Sequence, residues 1–336
     1  MKKLNKRAVA GIAVALLTIF TILIICLRVV FIGREGNQKD RLQTDQQKQD
    51  RFRFNEDGTV TLGEGFTSHG FYTKDGKLAD FGSAVECEDG CIRGCIVFQQ
   101  NLPGTTEYGL LMMEDFIQKE FKVGNASFDC YRFSLSGEGT ARIEVELPVM
   151  DRAYEIEYLI VPQPDAQNFS MDSKSGWNNF LATKNAYTSS YKIMDKHRNK
   201  RVPPAYERVN TFKLGEIQHG GSTGFELVKS SEELKIFDYA NGGSRACLCL
   251  GSMKKEVDAY VVVAFCNWKQ VEVAKGQLVR CYQSVPDRNS YDEIIFPNIK
   301  GDAVYQMFAF EMPIASRAIA SVNQTFRIKM KEGENK

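Results

Sequence analysis

After about residue 55 the chain is a series of short runs in which apolar and polar residues alternate, separated by turn signals. From Arg142 to Leu147, Ile143, Val145 and Leu147 fall on one side and Glu144 and Glu146 on the other. Tyr154, Ile156, Tyr158 and Ile160 alternate in the same way against Glu155 and Glu157. A period of two with one charged side predicts antiparallel strands packed on one face. Asp57-Gly58 ahead of Thr59–Leu62, and Asp75-Gly76 between Phe71-Tyr72 and Leu78, predict hairpins, because both central residues of such a turn take positive φ. Ile96–Phe98, Phe212–Ile217, Tyr305–Glu311 and Thr325–Met330 read as further strands. Ala259–Trp268 (AYVVVAFCNW) is apolar almost throughout, the mark of a central strand buried on both faces. Val271 to Val279 reads as a hairpin about Lys275-Gly276.

Three stretches suggest minor helical insertions. Across Glu107–Val123, Leu110, Met113, Ile117 and Phe121 have helical spacing. Asn178–Lys184 and the Ser230-Ser231-Glu232-Glu233 start are shorter candidates. Residues 163–207, bracketed by prolines, read as a connection with room for a strand at Tyr191–Met194.

Part of the chain is stated twice. Cys130–Pro162 laid without gaps on Cys281–Pro313 matches Cys130-Tyr131 with Cys281-Tyr282, Ile143 with Ile294, Asp151 with Asp302, Tyr154 with Tyr305, and Pro162 with Pro313. Upstream, Lys77–Phe81 is echoed by Lys235–Tyr239. The expected fold is therefore mainly β: two tandem β-sandwich-like domains, with an immunoglobulin-like sandwich as one form, behind an N-terminal transmembrane helix. In the second copy Gln306 and Phe308 replace Glu155 and Glu157. That more apolar face is the first place to look for a partner.

The N-terminus supplies the membrane segment. Ala8–Leu27 carries no charge and, as a helix, is long enough to cross a bilayer. It is too long for a signal peptide, and no small-residue cleavage site follows it. Lys2, Lys3, Lys6 and Arg7 precede it, which predicts a cytoplasmic N-terminus and an extracytoplasmic remainder at the cell membrane, single-pass. The expected organisation is a basic cytoplasmic N-terminus (1–7), transmembrane helix (8–32), polar stalk (33–54), first β-rich domain (55–165), linker (166–207), second β-rich domain (208–330) and tail (331–336).

Composition narrows the chemistry. The formal net charge is +1, with 25% charged residues, so nothing favours nucleic acid. Nine cysteines less Cys26 of the membrane segment leave an even number, four to each copy, and outside the cytoplasm that favours disulfides. The repeat suggests the pairs Cys87–Cys130 and Cys247–Cys281. Cys87, Cys91 and Cys95 lack the second pair or nearby histidine that a zinc shell needs. Gly220-Gly221-Ser222-Thr223-Gly224 has the form of a nucleophile elbow, but no histidine follows Ser222, so that triad order cannot be completed. A Cys–His pair drawn from Cys95 or Cys247 with His69 or His219 has no support from spacing. His197 lies in the basic run Lys196–Arg201, which reads as a solvated linker, and Trp268 reads as core.

These residues point away from an enzyme and towards no metal and no cofactor. The expectation is a membrane-anchored extracytoplasmic protein that recognises a protein or glycan at the cell surface or envelope. A structural component of a membrane-anchored assembly is the alternative, and a hydrolase with an unrecognised site the third reading.

Overall fold

The computed structural model describes residues 52–54, 60–62, 65–166, 185–194, 215–216, 225–230, 237, 239–250, 257–283, 290–313 and 321–332. The basic N-terminus, the expected transmembrane helix, nearly all of the expected stalk, the two expected short helices, Ser222, His197 and His219 lie outside them. Two compact units divide the chain, residues 1–66 and 67–336. In the first, β1 (Phe52–Phe54) pairs antiparallel with β2 (Val60–Leu62) around the predicted Asp57-Gly58 hairpin. Phe52–Phe54, expected at the end of the stalk, is therefore a strand.

The second unit holds two halves, and among the described residues both are made only of strands. The first comprises β3 (Phe66–Thr73), β4 (Ala84–Glu88), β5 (Cys91–Glu114), β6 (Ile117–Lys119), β7 (Phe121–Val123), β8 (Ala126–Phe128), β9 (Tyr131–Pro148), β10 (Glu155–Pro162) and β11 (Tyr187–Met194). Its sheet closes on itself. β4 pairs with the start of β5, β10 pairs with the end of β5, and β11 joins β10 to β4. Inside lies a core that includes Phe71, Ile92, Ile96, Phe98, Leu110, Ile143, Leu147, Tyr158 and Tyr191. Strand β11 falls within the stretch expected to be a linker.

The second half comprises β12 (Gly215–Glu216), β13 (Phe225–Val228), β14 (Tyr239–Asn241), β15 (Arg245–Leu250), β16 (Val257–Cys266), β17 (Lys269–Val271), β18 (Val279–Gln283), β19 (Ser290–Ile295), β20 (Ala303–Pro313), β21 (Val322–Gln324) and β22 (Ile328–Lys331). Sheet β12-β19-β15-β13 faces sheet β14-β22-β20-β16-β17 across a core with Leu248, Tyr260, Val262, Tyr282, Ile294, Tyr305 and Met307.

The pairing scheme is duplicated. β5 is flanked by β10, β9 and the β6 hairpin as β16 is by β20, β18 and β17. In each half one short strand lies parallel to the last, β4 to β11 and β14 to β22. The turns Asp115-Phe116 and Asn267-Trp268 coincide, each with positive φ at both residues. On that register Arg93-Gly94-Cys95-Ile96 corresponds to Arg245-Ala246-Cys247-Leu248, and Gln118 to Gln270. Glu144, opposite Cys95, then corresponds to Glu293, opposite Cys247. The gapless alignment of Cys130-Tyr131 on Cys281-Tyr282 is displaced from this: Tyr131 faces Leu110 and Tyr282 faces Tyr260, two residues further from the turn. A two-residue slip keeps every side chain on its own face, so alternation cannot reveal it.

The halves meet sheet to sheet. Ala259, Val261, Val263, Phe265, Phe308 and Phe310 from the second pack against Leu111, Met113, Phe116, Leu159 and Val161 from the first. Burying each such large side chain fully is worth about 1.5–3 kcal/mol. β16 therefore has two buried faces, as its unbroken apolar run predicts. The same seam explains two departures. Glu107–Val123 is strand, turn and strand rather than helix, because Leu110 and Met112 face the closed core while Leu111 and Met113 face the seam. Glu155 and Glu157 are buried, not solvated, because their side of β10 is the seam. Gln306 and Phe308, singled out as an apolar face for a partner, are covered by the first half of the same chain.

At the turns the contact is reciprocal. Gln118 N donates to Gln270 Oε1 (2.7 Å) and Gln270 N to Gln118 Oε1 (2.6 Å). Gln118 Nε2 donates to Trp268 O (2.7 Å) and Gln270 Nε2 to Phe116 O (2.8 Å). Residue i touches j as j touches i, the pattern of an isologous interface. A one-sided clamp adds to it. Trp268 Nε1 donates to Pro164 O (2.7 Å), and the buried Arg327, its guanidinium 4.7 Å over the Trp268 ring, donates to Pro162 O (2.6 Å), Gln163 O and Gln306 Oε1 (3.0 Å). Burial pushes the Arg327 pKa down to about 9, so it remains charged at neutral pH.

In urea denaturation, Gln118→Ala and Gln270→Ala should each cost about 2–3 kcal/mol, with a coupling of about 1–3 kcal/mol in the double-mutant cycle. Strict additivity would contradict the reciprocal arrangement.

Candidate binding cleft

Neither expected disulfide is present among the described residues. Strand alternation gives the reason. Cys87 faces the closed core of the first half, whereas Cys130 packs against the seam. Cys281 also faces the seam, while Cys247 lies with Val228, Cys249 and Tyr291 on the outer side of the opposite sheet. The two members of each expected pair thus point into different clusters. Burial pushes the pKa of Cys130 up to about 11, that of Cys249 up to about 12, and that of Cys95 upward. All three are thiols at neutral pH, not activated nucleophiles.

Cys95 and His69 are not brought together. Cys95 is on the outer face of β5, whereas the His69 Nδ1 lies 2.7 Å from the hydroxyl of Tyr158, a residue of the inner core. The His69 ring makes edge contacts with Tyr158 and Tyr187. Trp268 is a seam residue, as expected. Among the described residues no group of three or more His, Cys, Asp and Glu side chains is arranged to hold a metal ion.

The buried carboxylates also have structural work. Glu114 Oε2 accepts from Met150 N (2.8 Å), Glu157 Oε2 from Phe116 N (3.1 Å), and Asp115 Oδ1 from Tyr154 N and Glu155 N (3.0 Å each). Asn267 Oδ1 repeats the last contact by accepting from Val304 N at 2.9 Å. These groups hold the tight turns at the seam. Burial, reinforced by Glu155, drives the Glu157 carboxyl well above the ordinary range. The corresponding residue of the second half is Gln306, a neutral isostere.

What distinguishes the halves is a hairpin. Between β6 and β9 the first half inserts β7 and β8, turning at Gly124-Asn125; between β17 and β18 the second has only the tight Lys275-Gly276 turn. The inserted hairpin and the β3 arm wall a cleft of ≈ 380 Å³ over the outer face of β5 and β9. A second hollow of ≈ 550 Å³ adjoins it, sharing Thr73, Lys74 and Arg93. The arm turns at Asp75-Gly76, where Thr73 N donates to Lys77 O (2.9 Å), as the sequence predicts. It lies so close to β5 that a Cβ at Gly94 would collide with the Phe71 ring and the Tyr72 carbonyl.

The cleft is mixed in charge and weighted towards cations. Glu146 accepts from Arg93 Nε (2.7 Å) and Lys122 Nζ (3.0 Å), which uses both of its oxygens. Both cations hold its carboxyl below the usual range, Arg93 more strongly. Arg142 lies over the Tyr72 ring at 5.9 Å. In the second half Tyr291 replaces Arg142 and the exposed Ile295 replaces Glu146. Of the cleft lining, Cys95 was singled out from sequence, as a nucleophile candidate, and the cations were not. The legible signal was the length of the β6–β9 connection.

No protein-family model matches the chain, and no curated protein sequence matches it. Among solved structures the chain is similar to the Calx CBD2 domain, at 10% identity over 39% of this chain and 87% of that one, with a TM-score of 0.22. It is similar to the periplasmic chaperone SfaE, at 10% identity over 80% of this chain and 99% of that one (TM-score 0.23). It is also similar to the secreted serine protease VesC of Vibrio cholerae, at 8% identity over 75% of this chain and half of that one (TM-score 0.22).

Two pH responses follow. Burial lowers the His69 pKa from 6.5 to about 4. Between those values only the unfolded chain takes up the proton, so stability falls by about 1–3 kcal/mol as pH drops through that window. His69→Gln should flatten that part of the urea-midpoint profile. The raised carboxyl of Glu157 acts oppositely, losing stability as pH climbs towards its folded pKa. Glu157→Gln should match the parent at pH about 5 and exceed it at pH about 9; equal midpoints throughout would contradict a buried protonated acid.

Proposed function

We propose that this chain is a membrane-anchored extracytoplasmic binding protein whose ligand site is the cleft between the β3 arm and the β7–β8 hairpin. The second half acts as a rigid backing fused to the binding half. One observation carries the reading: among the described residues the two halves share a pairing scheme, and the hairpin inserted in one of them walls a polar cleft. Fold elements are needed twice in a duplicated scaffold, whereas an insertion confined to one copy is where a loop-borne function would sit. The side chains there suit recognition of a polar group on a protein or glycan. With Cys95 protonated and His69 on the other side of the sheet, they do not offer a nucleophile and base. The uncharged Ala8–Leu27 segment and its preceding cations support anchoring with the folded part outside.

Photo-reactive side chains placed at Lys122 and, separately, at Ile295 of the intact protein on cells test this. Cross-links to a surface protein or glycan should form from position 122, disappear with Tyr72→Ala, and be absent from position 295. Equal yields from both positions would count against the cleft, and protection of residues 67–336 from external protease would count against the topology.

A further inference from the structure

We infer that the cleft takes an anionic glycan, a polysaccharide bearing carboxylate or phosphate groups; this rests on the cleft being the ligand site. The internal duplication supplies the comparison. Arg93, Cys95 and Glu144 have counterparts in Arg245, Cys247 and Glu293, so they belong to the shared scaffold. Lys122 and Arg142 have none: Lys122 sits on the inserted hairpin, and the position of Arg142 is Tyr291 in the second half. The half with the extra wall carries one such cation on that wall, Lys122, and the other on the floor beneath it, Arg142.

The hydrogen-bond ledger then shows which charges are spoken for. Glu146 is bridged by Arg93 Nε on one oxygen and Lys122 Nζ on the other, so Arg93 meets it through Nε and not through its terminal nitrogens. Lys74 is paired with Glu88 at 2.8 Å. Among the described residues no carboxylate lies within ion-pair distance of Arg142, which is held by the Tyr72 ring. The cleft therefore presents two guanidinium groups fixed in place, one by a carboxylate and one by an aromatic face. Planar guanidinium forks match carboxylate and phosphate oxygens. Lys74, Arg93, Lys122 and Arg142 outnumber Glu144 and Glu146 on the lining, an excess of positive charge that a neutral sugar would leave uncompensated. The ≈ 380 Å³ volume accommodates one charged sugar residue.

The test uses the full chain in detergent micelles, with polygalacturonate as the carboxylate probe, phosphomannan as the phosphate probe and neutral dextran as control. One or both charged polymers should bind while dextran does not, and the arm that binds names the anion. Raising salt from about 50 to 300 mM should weaken binding, and Arg142→Ala should weaken it about tenfold. Arg142→Ala with Lys122→Ala should abolish it, with the melting temperature unchanged for both variants, since both residues are exposed or half-exposed. Binding unaffected by these variants overturns the cleft and its ligand class together. Dextran binding that Tyr72→Ala removes, or no binding of any polymer while cross-links from position 122 persist, overturns the anionic ligand and leaves the cleft standing.

Discussion

Two strand pairs, the end of β5 with β10 and β16 with β20, bury both faces and set the terms for the rest of this molecule. A strand in the seam has no solvent side on which to place polar residues, so every backbone turn and every side chain reaching it must find its partner inside. The reciprocal glutamines do this at the hairpin ends. Each glutamine backbone N–H and each side-chain amide is satisfied across the seam, at a place where an unmet amide would cost about 1–3 kcal/mol. Because the pair is symmetric, neither half can shift along the seam without breaking both members.

The seam also accounts for backbone that would be costly elsewhere. Phe116 and Trp268 have φ of 62° and 64°, a region that bulky residues occupy at roughly 1–3 kcal/mol. Glycine would relieve the turn, but it would remove the ring that the seam buries. The preceding Asp115 and Asn267 tolerate the left-handed region better and return the favour by accepting from the backbone of the facing strand. The same turn chemistry recurs in both halves with different residues, so the constraint is on the geometry and not on the particular side chains.

The mainly β character was legible wherever one strand face is polar. Ile143, Val145 and Leu147 point inward as their alternation requires, and Asp75-Gly76 turns as its composition requires. Where both faces are buried the period-two signal vanishes: Leu110–Met113 then imitated a helix, and Glu155 and Glu157 imitated a wet face. Asp115-Phe116 and Asn267-Trp268 gave no turn signal because neither contains glycine. The matches of Cys, Tyr and Pro that suggested a duplication do not fall at equivalent positions of the shared pairing scheme, since a slip of two residues preserves every facing. The even cysteine count suggested staples, yet a count says nothing of direction, and Cys247 and Cys281 point to different clusters. The cleft was hidden because its cations are spread over β5, β7 and β9 and converge only through pairing.

The clamp on Pro162–Pro164 also bears on how the chain is made. Trp268 and Arg327 come from the second half, so they do not yet exist when the first half leaves the ribosome. At about 5–20 residues per second, roughly 10–30 s of synthesis separates the completion of β10 from that of β20. Throughout that interval Leu111, Met113, Phe116, Leu159 and Val161 have no native cover. A nascent first half is therefore an adhesive intermediate on its own, and its protection before the second half arrives is a requirement placed on the cell rather than on the finished protein.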